Sequence, residues 1–285
     1  MAQKLRICML NADVPVPAVY ENRATTYGKI FHQLLCNAAQ KISSNLTIES
    51  DDFDVKEGEY PNNISDFDAI VISGSANSAY DDLEWIHSLT KFVQDVYYKE
   101  RNIRIFGSCF GHQLIGHALL GAYDVRVEKD PSGWELGVRE ITLHPKFRDI
   151  FSSNATNGRP VAERLRLQFV HHDHVWVPHQ NTLPASWLTL GSTTHCAVQG
   201  VYEPGRILTF QGHFEFDRFV NSETIKFFFP DWEPGLLAEA LKAVDNDDDA
   251  EVAAKMVLEF FLEDKKRGGP MHEVVKGLLT PPILE

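Results

Sequence analysis

Long hydrophobic runs are missing from this sequence. No stretch of its 285 residues approaches the ~18 uninterrupted apolar residues that a membrane-spanning helix needs. The apolar run near the start, Leu5 to Leu10, stops at Asn11, too soon for the core of a secretory signal. Pro282-Ile283-Leu284-Glu285 matches no lipidation or retention signal. Cysteine is scarce: Cys8, Cys36, Cys109 and Cys196 are widely spaced, which suits reduced thiols in the cytoplasm better than a disulfide framework. Positive charge is in deficit, with 27 basic side chains against 40 acidic ones and a formal net charge of −13. Such a field repels phosphate backbones and anionic lipid surfaces, so neither nucleic acid nor membrane is an expected partner. No internal repeat and no linker rich in Gly, Ser or Pro divides the chain.

What is present is an ordinary globular composition, and at 44% hydrophobic it can bury a sizeable core. Short β-rich runs alternate with helical patterns through the first 120 residues, the signature of βαβ units around a parallel sheet. Leu5 to Leu10 reads as a strand, and Tyr27, Ile30, Phe31, Leu34, Leu35 and Ala38 recur at helical spacing. Ala69 to Ile72 and Ile103 to Phe106 read as short buried strands. Between them lies a helix outlined by Leu83, Ile86, Leu89, Val93 and Val96, its start marked by Asp81 and Asp82. From Val125 to Phe210, turn residues separate further strands that are expected to extend the same sheet, partly antiparallel. After Phe219 the pattern is helical, with apolar faces at Leu236, Leu237, Ala240, Leu241 and Val244 and at Val252, Met256, Val257, Phe260 and Phe261. The expected class is α/β, a three-layer sandwich with a mostly parallel central sheet.

The most specific segment is Gly107-Ser108-Cys109-Phe110-Gly111-His112-Gln113, directly after a predicted strand. A thiol where a strand turns sharply into a helix gains thiolate character from the helix N-terminus, and glycines at 107 and 111 permit the turn and close substrate approach. The competing reading is a buried core thiol, the commoner fate of a free cysteine and the one assigned to Cys8, Cys36 and Cys196. A cysteine nucleophile needs a base, and the base an orienting carboxylate. His213 and Glu215, after the run Ile207 to Phe210, fall on one side of an extended strand by alternation. A third small-residue turn, Ser73-Gly74-Ser75, also ends a strand; Gly74 and Phe110 are the candidate oxyanion donors through their backbone N–H groups.

Taken together, these segments resemble the class I glutamine amidotransferase family of the cysteine triad type. Within it they are most similar to stand-alone γ-glutamyl peptidases, through Ser73-Gly74-Ser75, Cys109-Phe110-Gly111-His112-Gln113, the His-x-Asp-x-Val segment at His171, Asp173 and Val175, and Gln211-Gly212-His213. The resemblance spans about residues 5 to 220. It implies a flavodoxin-like amidotransferase domain over residues 1–220, with residues 221–285 as a helical C-terminal extension packed on it. It further implies a cytoplasmic hydrolase, classed with thiol proteases, that cleaves a small-molecule γ-glutamyl amide without a cofactor. Cys109 would be the nucleophile, His213 the proton relay and Glu215 its orienting group, while Gln113, His171, His172 and Asp173 would bind substrate. Two alternatives accompany it: a glutaminase subunit feeding ammonia to a synthetase partner, and a non-catalytic interaction protein that keeps the fold. Ser75 stands where many synthetase-linked members have glycine, and Phe214 where proline is common; Phe214 is expected to affect the local backbone or the leaving-group side.

Two other patterns invite metal. His171, His172, Asp173 and His174, with His179 and His195, have the residue types of a zinc or iron site, but the His-x-Asp-x-Val match accounts for them, and no metal is expected. The acidic run from Asp245 to Glu251 fails as an EF-hand, which needs glycine and glutamate where this chain has Ala250 and Met256. It reads instead as the acidic start of a helix that ends in Lys265-Lys266-Arg267-Gly268-Gly269-Pro270. Trp134 reads as a strand anchor.

Overall fold

In the computed structural model, which describes residues 3–154, 160–179 and 182–263, strands and helices alternate along the first half of the chain as the apolar spacing predicts. The order is β1 (Gln3–Asn11), α1 (Pro17–Asn22), α2 (Tyr27–Ile42), β2 (Leu46–Asp54), β3 (Ala69–Ile72), α3 (Glu84–Lys99), β4 (Arg104–Ser108) and α4 (Phe110–Leu120). There follow β5 (Arg126–Lys129), β6 (Glu135–Leu143), α5 (Pro145–Asn154), β7 (Arg164–His171), β8 (Asp173–Trp176), β9 (Leu188–Thr189), β10 (Gly191–Ser192), β11 (Val201–Glu203) and β12 (Ile207–Phe210). Three helices close the described chain: α6 (Arg218–Phe228), α7 (Pro234–Val244) and α8 (Ala250–Phe261). Among the described residues no helix is long and apolar enough to cross a membrane.

The main sheet has seven strands in the order β2-β1-β3-β4-β12-β11-β9. Its first five strands are parallel and follow the flavodoxin-like order. Because alternate residues face opposite sides of a strand, β1 feeds two cores. Ile7 and Met9 pack with Phe31 and Leu35 of α2, whereas Cys8 and Leu10 pack with Leu89 and Val93 of α3 and Leu114 of α4. The three layers are thus set by the two-residue period of one buried strand.

Several expectations need correction. Strand β2 had no clear apolar run to announce it: its register partners Asp51, Asp52 and Asp54 lie on a polar edge, and pairing with β1 forms it. The strands between Val125 and Phe210 do not all extend the main sheet. Only β9, β11 and β12 join it, whereas β10-β6-β7 and β5-β8 form two small separate sheets. Helix α3 starts at Glu84 without a side-chain cap. Asp81 instead accepts from the Ser78 N–H at 3.0 Å, ordering the loop ahead of the helix. The acidic run does lead into a helix, with Asp249 at the N-cap position of α8 and Glu251 in its first turn, but it also reaches across the fold: Asp249 takes the Arg166 guanidinium on both carboxylate oxygens at 3.0 and 3.2 Å, and Asp247 pairs with Arg218 at 2.7 Å. Only Asp248 caps locally, accepting from the Ala250 N–H at 3.1 Å. The basic end expected at residues 265–270 and the rest of the expected extension beyond residue 263 lie outside the described residues.

Helices α7 and α8 are joined to the same body by specific contacts. Met256, Val257 and Phe260 of α8 belong to the core that holds α2. Helix α7 crosses β6 at Gly137, whose φ of 73° lies in the left-handed region and where a Cβ would stand 2.5 Å from the Ala243 Cβ. Gly137→Ala is therefore expected to cost about 2–4 kcal/mol of stability, combining backbone strain with overpacking. Urea unfolding measures it, and a midpoint equal to wild type would remove α7 docking as the reason for this glycine.

Candidate active site

The three segments singled out in the sequence converge at the C-terminal ends of β3, β4 and β12, where open α/β sheets place ligands. They line a cavity of about 310 Å³ that includes Asp13, Gly74, Ser75, Cys109, His213 and Asp173. Cys109 sits between β4 and α4 with φ 50° and ψ −105°, one of two non-glycine residues with positive φ among the described residues. Its N–H donates to the Phe210 carbonyl at 2.8 Å, which fixes the turn to β12. The glycines around it serve packing. A Cβ on Gly107 would lie 2.5 Å from the Gly111 carbonyl oxygen, and one on Gly111 would lie 2.5 Å from the Ile72 carbonyl oxygen. They let α4 descend onto the sheet, rather than opening room for substrate.

The His213–Glu215 pair forms outside any strand, because β12 ends at Phe210. His213 is instead held by its N–H, which donates to the Gln168 carbonyl at 2.8 Å. Its Nδ1 is 2.7 Å from Glu215 Oε1, and both side chains are buried. A residue missed in the sequence completes the arrangement: the Ser108 hydroxyl donates to the same Glu215 oxygen at 2.9 Å. Phe216 stacks on the imidazole, with ring centroids 4.0 Å apart. Burial pushes the His213 pKa down, but the charges of Glu215 and Cys109 outweigh it and hold the value up at about 10. His213 Nε2 is buried without a hydrogen bond among the described residues. Gly74 shares this space, since a Cβ there would be 3.0 Å from His213 Cε1 and 3.7 Å from Cys109 Cβ. Phe110 is the first residue of α4, so its N–H has no intrahelical acceptor. A thiol, an oriented imidazole and two nearby backbone donors are the parts of acyl transfer through a thioester.

The loop carrying Gly74 is stapled from β1. Asp13 accepts from the Ala76 N–H at 2.9 Å and from the Ser75 hydroxyl at 3.3 Å, so Ser75 has a structural partner. Phe214 does not reach the cavity: it is buried among Phe31, Phe106 and Phe210 beneath the site, which overturns the expected leaving-group effect.

The remaining candidates divide. Asp173 and His172 line the cavity. Gln113 and His171 also border it, with Gln113 Nε2 and both His171 ring nitrogens engaged by protein. Gln113 donates to the Asp173 carbonyl at 2.9 Å and to Gln211 at 3.1 Å. His171 has Nδ1 2.9 Å from the same Asp173 carbonyl and Nε2 2.9 Å from Glu135. Both residues position Asp173. Its carboxylate accepts from the Ser78 hydroxyl at 2.5 Å and the Tyr80 hydroxyl at 3.2 Å. Trp134 precedes β6 rather than anchoring it; it is 41% exposed, stands over His172 and lines the cavity. His112, within the cysteine motif, is a core residue: it is bonded to Thr209 at 2.7 Å and its pKa is pushed down to about 3 by burial.

The other histidines of the run lie elsewhere. His179 belongs to a turn with Thr182, and His174 and His195 face Asp130. Asp130, His174 and Cys196 bring donor atoms within 4.8 Å of one another. Burial pushes the Cys196 thiol up to about 12. Cys8 is likewise buried, and Cys36 is half-buried beside His32 at 3.3 Å.

Comparison with known proteins agrees with this geometry. The family model for glutamine amidotransferase class-I matches residues 25–229. A glutamine amidotransferase-like protein of Schizosaccharomyces pombe is 30% identical over 266 residues, covering 90% of this chain and 98% of the relative. Gamma-glutamyl peptidase 4 of Arabidopsis thaliana is 29% identical over 170 residues, which cover 59% of this chain and 62% of the peptidase. Among solved structures, a glutamine amidotransferase from Thermotoga maritima shares the fold at 17% identity with a TM-score of 0.57, covering 91% of this chain and 96% of that one. The family match and the S. pombe relative together establish that the chain belongs to the class I glutamine amidotransferase family.

Proposed function

We propose that the protein is a cysteine amidohydrolase that cleaves a γ-glutamyl amide through a thioester on Cys109. The observation that carries this reading is the strained Cys109 turn set against a His213 whose Nδ1 is held by Glu215 at 2.7 Å. In the first half-reaction Sγ attacks the γ-carbonyl carbon, its oxygen taking charge beside the Gly74 and Phe110 N–H groups. The C–N bond then breaks as the departing nitrogen takes the proton from His213 Nε2. In the second half, water gives a proton to His213 and attacks the thioester. The C–S bond breaks, restoring the thiolate–imidazolium pair and releasing a γ-carboxylic acid that gives its proton to solvent. Named relatives include gamma-glutamyl peptidases, which supports the γ-glutamyl acyl group for this chain.

The test is purified protein offered glutamine and a set of γ-glutamyl amides, with glutamate release measured and acid-quenched protein analysed by mass. Glutamate release together with a γ-glutamyl adduct on Cys109 is expected. Absence of both across the set would sink the proposal.

A further inference from the structure

Behind the cavity wall, three segments distant in sequence bring a carboxylate, an imidazole and a thiol to one point. Asp130 follows β5, His174 lies in β8, and Cys196 lies between β10 and β11. One donor atom from each falls within 4.8 Å of the other two. None of the three lines the cavity. Alternation along β8 sends His174 to the face opposite Asp173, so the cluster is separate from the site around Cys109.

Its polar atoms lack the partners that a packed core supplies. Asp130 is 3% exposed, and its Oδ2 accepts no hydrogen bond among the described residues, although His174 Nδ1 stands 3.1 Å away. Two such atoms, close yet without hydrogen-bond geometry, have the relation of two ligands to a shared ion. A tetrahedral zinc with bonds of about 2.0 Å to each would hold them about 3.3 Å apart. The other carboxylate oxygen, Oδ1, accepts from the Ser132 N–H at 2.8 Å, which fixes the group with Oδ2 toward His174. His174 Nε2 is buried without a hydrogen bond among the described residues, with Glu128 at 3.9 Å on the side where carboxylates orient metal-bound imidazoles. Cys196 is buried, and its thiol donates over a weak 3.6 Å to the Val198 carbonyl. Its own N–H donates to the Thr193 hydroxyl at 3.0 Å, which closes the loop that presents it.

Charge and softness choose the ion. A thiolate, a carboxylate and a neutral imidazole together carry two negative charges, so a divalent cation leaves no net charge in a buried place. Calcium and magnesium take oxygen ligands, whereas thiolate and imidazole suit zinc.

We infer that Asp130, His174 and Cys196 form a zinc site that ties the turn after β5 to β8 and to the loop ahead of β11. Binding exchanges a proton for the metal: the Cys196 S–H bond breaks, an S–Zn bond forms and the proton leaves to solvent. Water completes the tetrahedron. His195 stands beside it, with Nε2 3.8 Å from the same Asp130 oxygen and donating to the Gly133 carbonyl at 3.2 Å. The metal braces the cavity wall from behind, because the Asp130 N–H donates to the His172 carbonyl at 2.7 Å and the same turn leads into Trp134. The site stands whether or not Cys109 acts on γ-glutamyl amides.

Metal binding by the full chain tests it, with no reliance on turnover. Metal-free protein is titrated with Zn²⁺, and with Co²⁺, whose thiolate charge-transfer band in the near ultraviolet reports a sulfur ligand. One equivalent of Zn²⁺ and the cobalt band are expected in wild type. Both should persist in Cys109→Ala and Cys36→Ala, which remove the other thiols that have a histidine close by. Cys196→Ala should abolish the band, and Asp130→Asn or His174→Gln should weaken Zn²⁺ by at least about 10- to 100-fold, the range for losing an outer partner of a ligand. Zinc-edge X-ray absorption needs no variant, and wild type should show one sulfur at about 2.3 Å among lighter donors. No stoichiometric Zn²⁺ binding, a zinc shell without sulfur, or a cobalt band unchanged in folded Cys196→Ala overturns the site.

Discussion

Cys109→Ala is expected to lower turnover of any γ-glutamyl amide by about 10⁴- to 10⁶-fold, the range for deleting a nucleophile from a cooperating set. The physical reason is that His213, Glu215 and the backbone donors contribute through the bond that Sγ makes. Once that bond cannot form, their arrangement accelerates almost nothing. The fold should survive, because the main-chain bond from Cys109 to Phe210 and the Cβ position are unchanged. Cys109 also holds a positive φ at the head of α4, a conformation that costs a residue with a Cβ roughly 1–3 kcal/mol. Cys109→Gly should relieve that cost, so the glycine variant is expected to be equally inactive and more stable than the alanine variant. Steady-state glutamate release and thermal unfolding of both variants check the two halves. Residual activity above a few per cent of wild type would remove Cys109 as the nucleophile. A glycine variant less stable than the alanine variant would remove strain as the reason for the turn.

The fold and the reactive groups were legible from the sequence for different reasons. Apolar residues two apart on β1 and three to four apart on α2 report burial directly, so the parallel half of the sheet follows from periodicity. The motif cysteine and histidine stand out because glycines crowd them. Periodicity says nothing, however, about which sheet a short strand joins, and β6 and β7 pair with each other and, through β6, with β10, apart from the main sheet that β11 joins. Strand β2 is half polar along an edge, and only its pairing with β1 reveals it. Within the site, the sequence named Gln113 and His171 as substrate contacts by position in a motif. The structure adds a positioning role for both: Gln113 Nε2 donates to Asp173 and Gln211, and the His171 ring lies between Asp173 and Glu135. Ser108 was missed because a single serine carries no spacing signal. Its meaning comes from a carboxylate 107 positions away.

Glu215→Gln carries the second large effect, an expected 10³- to 10⁴-fold fall in kcat together with a displaced pH profile. The substituted amide has two orientations in this site, and neither serves. With its oxygen toward Ser108 and His213, its NH₂ group occupies the place of Glu215 Oε2, which is buried and has no partner among the described residues, so two donors go unsatisfied. With its NH₂ group toward His213 Nδ1, the imidazole must accept there and carry its proton on Nε2. It can then no longer take the Cys109 proton. The pH dependence follows from the same pair. Burial alone pushes His213 down from 6.5, and the charges of Glu215 and Cys109 reverse that and hold it at about 10. The protonated imidazole that delivers a proton to the leaving amine thus persists through neutral pH and is lost as pH rises through about 10. Without the carboxylate charge the burial effect weighs more, so the alkaline limb of kcat is expected to move down by at least about one pH unit, the typical effect of a contacting charge. Stability shifts in the same sense. The raised pKa of His213 contributes stability that is fully present below about 6.5 and disappears as pH rises through about 10. The gap between wild type and Glu215→Gln should therefore be widest in mild acid and narrow toward pH 10. Rate profiles and urea midpoints taken across this range test both. An unchanged alkaline limb in the variant would show that Glu215 orients the imidazole without charging it.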